Sequence, residues 1–190
     1  GWGVSQGNEL RALHMPSSLA LRVAREVAGC ADMLVPHLYK STLILGAPGT
    51  GKTTLLRDAV RQISDKKRQR VGLVDERGEI AACVCGVPHL SVGGRTDVLA
   101  NVRKDTAITM LLRTMNPQWI AVDEITAERD IYAMDQASYC GVHILATAHA
   151  EGKEDLKNRP LYRRLLENKV FAQVVVLFPD KSYRVEELLR

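Results

Sequence analysis

What this 190-residue sequence has little of bounds it first. No stretch approaches the ~20 consecutive apolar residues that a membrane-spanning helix needs; the richest runs, such as residues 174–178, have strand length. Only four cysteines occur, Cys30, Cys83, Cys85 and Cys140, too few and too scattered for a disulfide scaffold. No signal-peptide pattern opens the sequence, so a reducing cytoplasm is the expected compartment. Cys83-x-Cys85 with His89 nearby lacks both the two-residue spacing and the second ligand pair of a zinc site. A dominant charge is missing too. Lys+Arg 26 against Asp+Glu 22 leaves a net +4, a mild preference for anions without a dedicated nucleic-acid arm. With 46% apolar residues the chain is not disordered, and its length fits one domain with an appendage. The first residue is Gly1, which gives the expectation of a fragment of a longer protein.

The order of elements points to an α/β fold. Residues 1–16 hold Gly1, Gly3 and Gly7, have no sustained period, and look like the edge of a preceding unit. Ala20, Val23, Ala24, Val27, Ala28 and Ala31 then recur at helical spacing before Pro36. From Ser41 onward, short apolar strands are expected at residues 42–45, 71–74, 119–122, 142–146 and 174–178. Helical patterns separate them: Leu55, Leu56, Ala59, Val60 and Ile63; then Ile108, Leu111, Leu112 and Met115; then residues 128–139. Continuous apolar strands between helices predict a mainly parallel sheet with helices on both faces. Pro179-Asp180-Lys181-Ser182 reads as the turn of a C-terminal β-hairpin whose last strand starts at Tyr183. Residues 78–101 fit neither period, and a loop of that length in a small domain is usually functional.

Gly46-Ala47-Pro48-Gly49-Thr50-Gly51-Lys52-Thr53 matches GxxxxGK[ST] in full, with a strand before it and an amphipathic helix after it. Glycines let successive backbone N–H groups converge on phosphates, and the helix N-terminus adds partial positive charge. Lys52 is expected on the β- and γ-phosphates, Thr53 on Mg²⁺, and Thr54 beside them. About 70 residues on, Trp119-Ile120-Ala121-Val122 buries a strand from which Asp123 and Glu124 emerge at the C-terminal end, where ligands sit in open α/β sheets. Asp123 is expected to hold Mg²⁺ through its bound water, and Glu124 to orient and polarise an attacking water. That pairing predicts hydrolysis of ATP with Mg²⁺. Thr147-Ala148-His149 ends the next strand, where a polar side chain such as His149 could sense the γ-phosphate, hold the lytic water or simply cap the strand end; His143 falls within the strand and reads as a packed side chain.

Val74-Asp75-Glu76-Arg77-Gly78-Glu79 is a third acidic strand end. Three carboxylates near phosphate need metal or arginine to neutralise them; either they complete the Mg²⁺ environment, the favoured expectation, or they form a solvated turn. Transition-state charge beyond Lys52 could come from Arg95, Arg103 or Arg113, in many such enzymes across a subunit boundary. The basic run Lys66-Lys67-Arg68-Gln69-Arg70 lies at a helix C-terminus and reads mainly as a solvated cap.

These boxes, with residues 16–31, Gly86-Val87-Pro88 and residues 92–99, resemble the stage III sporulation protein AA family, a relative of the hexameric ATPases of type II/IV secretion and type IV pili. The resemblance covers essentially the whole chain. It implies a RecA-like P-loop NTPase domain at residues 17–190, with residues 1–16 the end of a larger N-terminal domain. Glu76 and Glu79 match that group's aspartate-box acids, Arg113 the arginine before its Walker B strand, and His149 the last histidine of its histidine box. Asp123 is retained where those ATPases often lack it, and His143 is one residue out of register with their earlier histidine. The implied protein is a homo-oligomer, expected to be a hexamer, that hydrolyses ATP. It would be cytoplasmic and held at the inner membrane by membrane-embedded sporulation or secretion channel proteins. Nucleic acid is not the expected partner. The alternative is a nucleic-acid-associated P-loop ATPase like the plastid and cyanobacterial relatives, supported by the run 66–70 and the positive net charge.

Overall fold

A computed structural model of the chain describes residues 1–7, 9–19 and 25–188. Alternation along the strands decides its layers, because successive side chains of a strand point to opposite faces. Strands β3 (Thr42–Leu45), β4 (Val71–Asp75), β6 (Trp119–Val122), β7 (His143–Ala148) and β8 (Gln173–Leu177) are almost wholly buried, as strands covered on both faces must be. Leu43, Val74, Ile120, Ile144 and Val174 enter one apolar cluster, with side chains of helices α2 (Lys104–Thr114), α3 (Glu128–Tyr139), α4 (Lys153–Asn158) and α5 (Pro160–Glu167). Ile44, Leu73, Ala121, Leu145 and Val175 enter the other, beneath helix α1 (Lys52–Asp65) and residues 34–38. Helices therefore cover both faces, as the sequence predicts.

The seven-stranded sheet has the order β5-β4-β6-β7-β3-β8-β9, where β5 is Thr96–Ala100 and β9 is Tyr183–Glu187. Every pair is parallel except β8–β9, the antiparallel C-terminal hairpin. Leu45 at the end of β3 pairs with Ala148 of β7 on one side and Val176 of β8 on the other. The chain after β3 consequently leaves the sheet between the ends of two neighbours, with the end of β6 one strand further along.

Some elements depart from the sequence expectation. The helical stretch expected from Ser17 to the residues before Pro36 lies partly at residues 20–24, outside the described residues; in the described part, 25–27 have no regular structure and 28–34 form successive turns. Asp58 of α1 accepts the Ala31 N–H at 2.8 Å, so a side chain from across the fold takes a donor that a helix would use internally. Residues 1–16 contain a separate antiparallel pair, β1 (Trp2–Gln6) and β2 (Glu9–His14). With no residue of β1 buried, nothing imposes alternation on its sequence, hence the missing period. The long loop ends in strand β5, an edge strand only partly buried. Helices α4 and α5 were not anticipated; only Leu156, Tyr162 and Leu165 of their residues are buried.

Gly93 fixes where that loop docks. Its φ is +91°, and a Cβ there would lie 2.5 Å from the Ser64 side chain and 2.9 Å from the Arg61 carbonyl of α1. Gly93→Ala should cost about 2 kcal/mol or more, from left-handed strain plus overpacking. Urea unfolding would measure this, and an unchanged midpoint would contradict the docking.

Candidate functional site

The loop of residues 46–51 turns the chain from β3 into α1 at the C-terminal rim of the sheet. Gly46 must lack a side chain: a Cβ would lie 2.8 Å from the Leu177 carbonyl oxygen and 2.7 Å from Thr50 Oγ1. The Thr50 hydroxyl donates to the Ala47 carbonyl at 2.9 Å and ties the loop across itself. Lys52, first residue of α1, is buried and donates from Nζ to the carbonyls of Gly46 (2.8 Å) and Ala47 (2.9 Å). Burial holds its pKa below the ordinary lysine value, and the charges of Asp123 and Glu124 pull the other way. Nζ also lies 3.1 Å from His149 Nδ1.

Strand β6 ends on the carboxylates. Asp123 accepts at both oxygens, from Thr53 Oγ1 at 3.0 Å and from Thr147 Oγ1 at 2.5 Å. Glu124 takes φ +50°, uncommon for a residue other than glycine, and its N–H donates to Thr147 Oγ1 at 2.8 Å. Thr147 thus holds both acids, one as donor and one as acceptor. The Glu124 carboxylate accepts from Arg77 at 2.9 Å and lies 3.3 Å from His149 Nε2. An ammonium can only donate, so Nδ1 of His149 accepts from Lys52 and, with the ring neutral, the hydrogen sits on Nε2, facing Glu124. This tautomer follows from its partners. His149 therefore bridges the phosphate-loop lysine and the acid of β6.

Lys52, Thr53, Asp123, Glu124, Thr147 and His149 share one open cleft of about 680 Å³, with Pro48, Gly49, Gly51 and Thr54 at its edge. Thr53 and Asp123 offer a hydroxyl and a carboxylate oxygen, the hard donors that suit Mg²⁺. Among the described residues no three His, Cys, Asp or Glu side chains group to hold a metal by themselves. A Mg²⁺ completed by phosphate oxygens and water fits such a partial donor set.

The second acidic box divides its labour. Asp75 is buried and accepts the N–H groups of Ile80 (3.2 Å) and Ala81 (2.8 Å), so it holds a turn. Glu76 pairs with the buried ammonium of Lys104, the first residue of α2, beside a narrow recess that Asp123 and Glu124 also line. Only Glu79 of the three lines the main cleft, with its carbonyl held by Arg57 at 2.7 Å. The expectation that all three acids surround a metal is corrected by these partners: backbone donors use Asp75, and a lysine uses Glu76.

Arg95 and Arg113 are not brought to the cleft. The Arg95 carbonyl accepts from the N–H of Val71 at the start of β4, and Arg113 is exposed in the last turn of α2, just before β6 begins. Both lie at the N-terminal rim of the strands, across the sheet from Lys52. Arg103 is exposed and pairs with Asp105. His143 packs against Trp119, ring centroids 4.9 Å apart, and burial lowers its pKa. The basic run is largely committed: Lys66 pairs with Asp32, Lys67 donates to the Leu38 carbonyl, and Arg70 to that of Asn116. Missed by the sequence reading were Thr147, Arg77 and Lys104 as working side chains. Thr147 and Arg77 sit inside recognised boxes, whereas Lys104 has no sequence signal beyond its place after Arg103.

A sequence model for the family described as "Sporulation stage III, protein AA" matches residues 1–185. The chain belongs to the stage III sporulation protein AA family. It is 38% identical over 187 residues to the Bacillus subtilis protein of that name, covering 94% of this chain and 61% of the relative. It is also 33% identical over 153 residues to the SEEDLING PLASTID DEVELOPMENT 1 protein of Arabidopsis thaliana, covering 78% of this chain and 22% of that protein. The chain thus spans about three fifths of the first of these relatives and less of the second. Among solved structures it is similar to the Legionella pneumophila ATPase DotB (TM-score 0.55, 17% identity, 77% of this chain and 43% of that one). It is similar as well to the VirB11 ATPase of the Brucella suis type IV secretion system in complex with sulphate (TM-score 0.56, 20% identity, 80% and 48%). A third is the pilus retraction motor PilT with bound ADP (TM-score 0.56, 14% identity, 88% and 50%). At these identities the likeness establishes the fold, which is that of the RecA-like secretion and pilus ATPases.

Asp75 gives a test of the divided acidic box. Asp75→Ala leaves the buried N–H groups of Ile80 and Ala81 without an acceptor and should destabilise the fold by about 2 kcal/mol. Denaturant titration would show it; unchanged stability would return Asp75 to the candidates for a direct role at the cleft.

Proposed function

We propose that this chain is a Mg²⁺-dependent ATP hydrolase, the motor domain of a secretion-type, homo-oligomeric assembly. The observation that carries the reading is the connected set Thr53–Asp123–Thr147–Glu124–His149–Lys52 around one cleft. The residues of the phosphate loop, 46–53 with Thr54, would bind the triphosphate, and Lys52 would exchange its carbonyl partners for phosphate oxygens. Thr53 and Asp123 would hold Mg²⁺, which supplies positive charge against the β- and γ-phosphates when bound.

Glu124 is the group positioned to accept a proton from water. In the proposed step the water oxygen bonds to the terminal phosphorus, and the bond from phosphorus to the bridging oxygen breaks. ADP leaves with that electron pair, and the proton of the water passes to Glu124. His149 connects this base to Lys52, so the state of the phosphate end can be felt at the carboxylate. Glu79 and Glu76 would act at the rim, Glu76 by anchoring α2 through Lys104. Glu124 is held at left-handed φ by Thr147, and such strain recurs where a side chain must be aimed.

Arg95 and Arg113 lie across the sheet from the cleft, so either would serve a site only from a neighbouring copy. The oligomer itself rests on the resemblance to hexameric relatives, which supports six copies. The family name supports a sporulation role. No helix among the described residues is long and apolar enough to cross a membrane. The proposed location is the cytoplasmic face of the inner membrane, docked on channel or secretion proteins there.

Two variants test the reading. Lys52→Ala should abolish phosphate release from ATP, a fall of about 100-fold or more. Glu124→Gln should keep ATP binding while turnover falls by a factor on the order of 100 or more. Wild-type turnover in Lys52→Ala, measured in a preparation free of other ATPases, would overturn the proposal. Undiminished hydrolysis in Glu124→Gln would remove that residue from the role of base.

A further inference from the structure

The charges of the cleft do not balance around Lys52 alone. Glu79, Asp123 and Glu124 line it, while Lys52 and Arg77 are the lysine and arginine side chains that do so among the described residues. Three further cations are close but engaged: Lys104 is buried and spent on Glu76, Arg57 donates to the carbonyls of Glu79 and Ile80, and Lys181 donates to the Thr50 carbonyl at 2.9 Å on the outside of the loop. Arg95 and Arg113 are at the far rim. Arg77 extends from the turn after β4, with its side chain 58% exposed, and meets Glu124 at 2.9 Å. Glu124 in turn meets His149, and His149 meets Lys52, so Arg77 ends a chain of contacts that begins in the phosphate loop.

Both oxygens of Glu124 already have partners, His149 at one and Arg77 at the other, so a water can reach the carboxylate only when one of them moves away. An exposed guanidinium held by one half-buried carboxylate can turn at little cost, and its planar fork suits phosphate oxygens. We propose that Arg77 is an intramolecular phosphate-contacting arginine. It trades Glu124 for the terminal phosphate of a bound nucleoside triphosphate, adding charge there and freeing Glu124 for water. The ligand class is a nucleoside triphosphate as distinct from a diphosphate. The inference rests on the cleft being a nucleotide site, as proposed above, and goes beyond it by assigning the residue that reads the third phosphate.

The test uses the full chain in the Glu124→Gln background, where the charge that pairs with Arg77 is removed and turnover is suppressed. Mg·ATP and Mg·ADP are titrated with and without Arg77→Ala. The expected result is that Arg77→Ala weakens ATP by about tenfold or more and leaves ADP within about twofold, while Arg77→Lys recovers part of the loss. Retained ADP binding shows that the variant is folded. Equal weakening of both nucleotides, or no weakening of either, overturns the proposal. So does a rise in turnover when Arg77→Ala is made in the otherwise unsubstituted chain, because that is the result of a mere restraint on Glu124. If the unsubstituted chain binds neither nucleotide, the reading of the cleft as a nucleotide site fails, and the assignment of Arg77 fails with it.

Discussion

Asp123 accepts one hydroxyl at each carboxylate oxygen, Thr53 from the first turn of α1 and Thr147 from β7. The rest of the site depends on this pair of hydrogen bonds. It joins the phosphate loop, the end of β6 and the end of β7, three segments remote in sequence. Because Thr147 also accepts the N–H of Glu124, the same hydroxyl that holds Asp123 sets the unusual backbone of the next residue. Without it, Glu124 would have no reason to remain at φ +50°, and its carboxylate would not lie between Arg77 and His149. The register of the parallel sheet supplies the precondition: Leu45 faces Ala148, and Val122 faces Ala146, so the three strand ends finish on one rim.

The electrostatics follow from that geometry. Acids gathered at the proposed phosphate site would repel an anionic ligand, and most of them already have partners within the chain. Backbone N–H groups take Asp75, the buried Lys104 takes Glu76, and hydroxyls take Asp123. Glu124 is left with partners that can move, an exposed arginine and a histidine. Arg57 stabilises the arrangement from beneath. Its guanidinium is buried in α1 and donates to the carbonyls of Arg25 (2.8 Å), Glu79 (2.7 Å) and Ile80 (2.5 Å). One side chain five residues after Lys52 therefore ties the acidic turn and the segment entering the domain to the helix that carries the phosphate loop.

Much of this was legible in the residues. The strands at 42–45 and 119–122 and the helix at 128–139 stand where apolar runs and periodicity place them, since burial on both faces leaves a continuous signal. Lys52, Thr53, Asp123, Glu124 and His149 were legible as strand-end and loop chemistry, and the fold brings them together. The rest was hidden for physical reasons. The hairpin β1–β2 and the edge strand β5 bury too little to enforce a pattern. The segment before α1 has helical spacing, yet Asp58 captures its backbone. Arg77 stood inside a recognised acidic box, but a single letter between acids does not say which acid it will face. Lys104 could be assigned only once the start of α2 was placed against Glu76.

The central claim is that this cleft turns over ATP with a hard cation held by Thr53 and Asp123. The most direct measurement is phosphate release from ATP by the unsubstituted chain at graded concentrations, with Mg²⁺ present and then removed by a chelator. Turnover should require Mg²⁺, stop with the chelator, and rise in specific rate as copies associate. Tight ATP binding without turnover at any concentration, or turnover indifferent to the chelator, would contradict that claim.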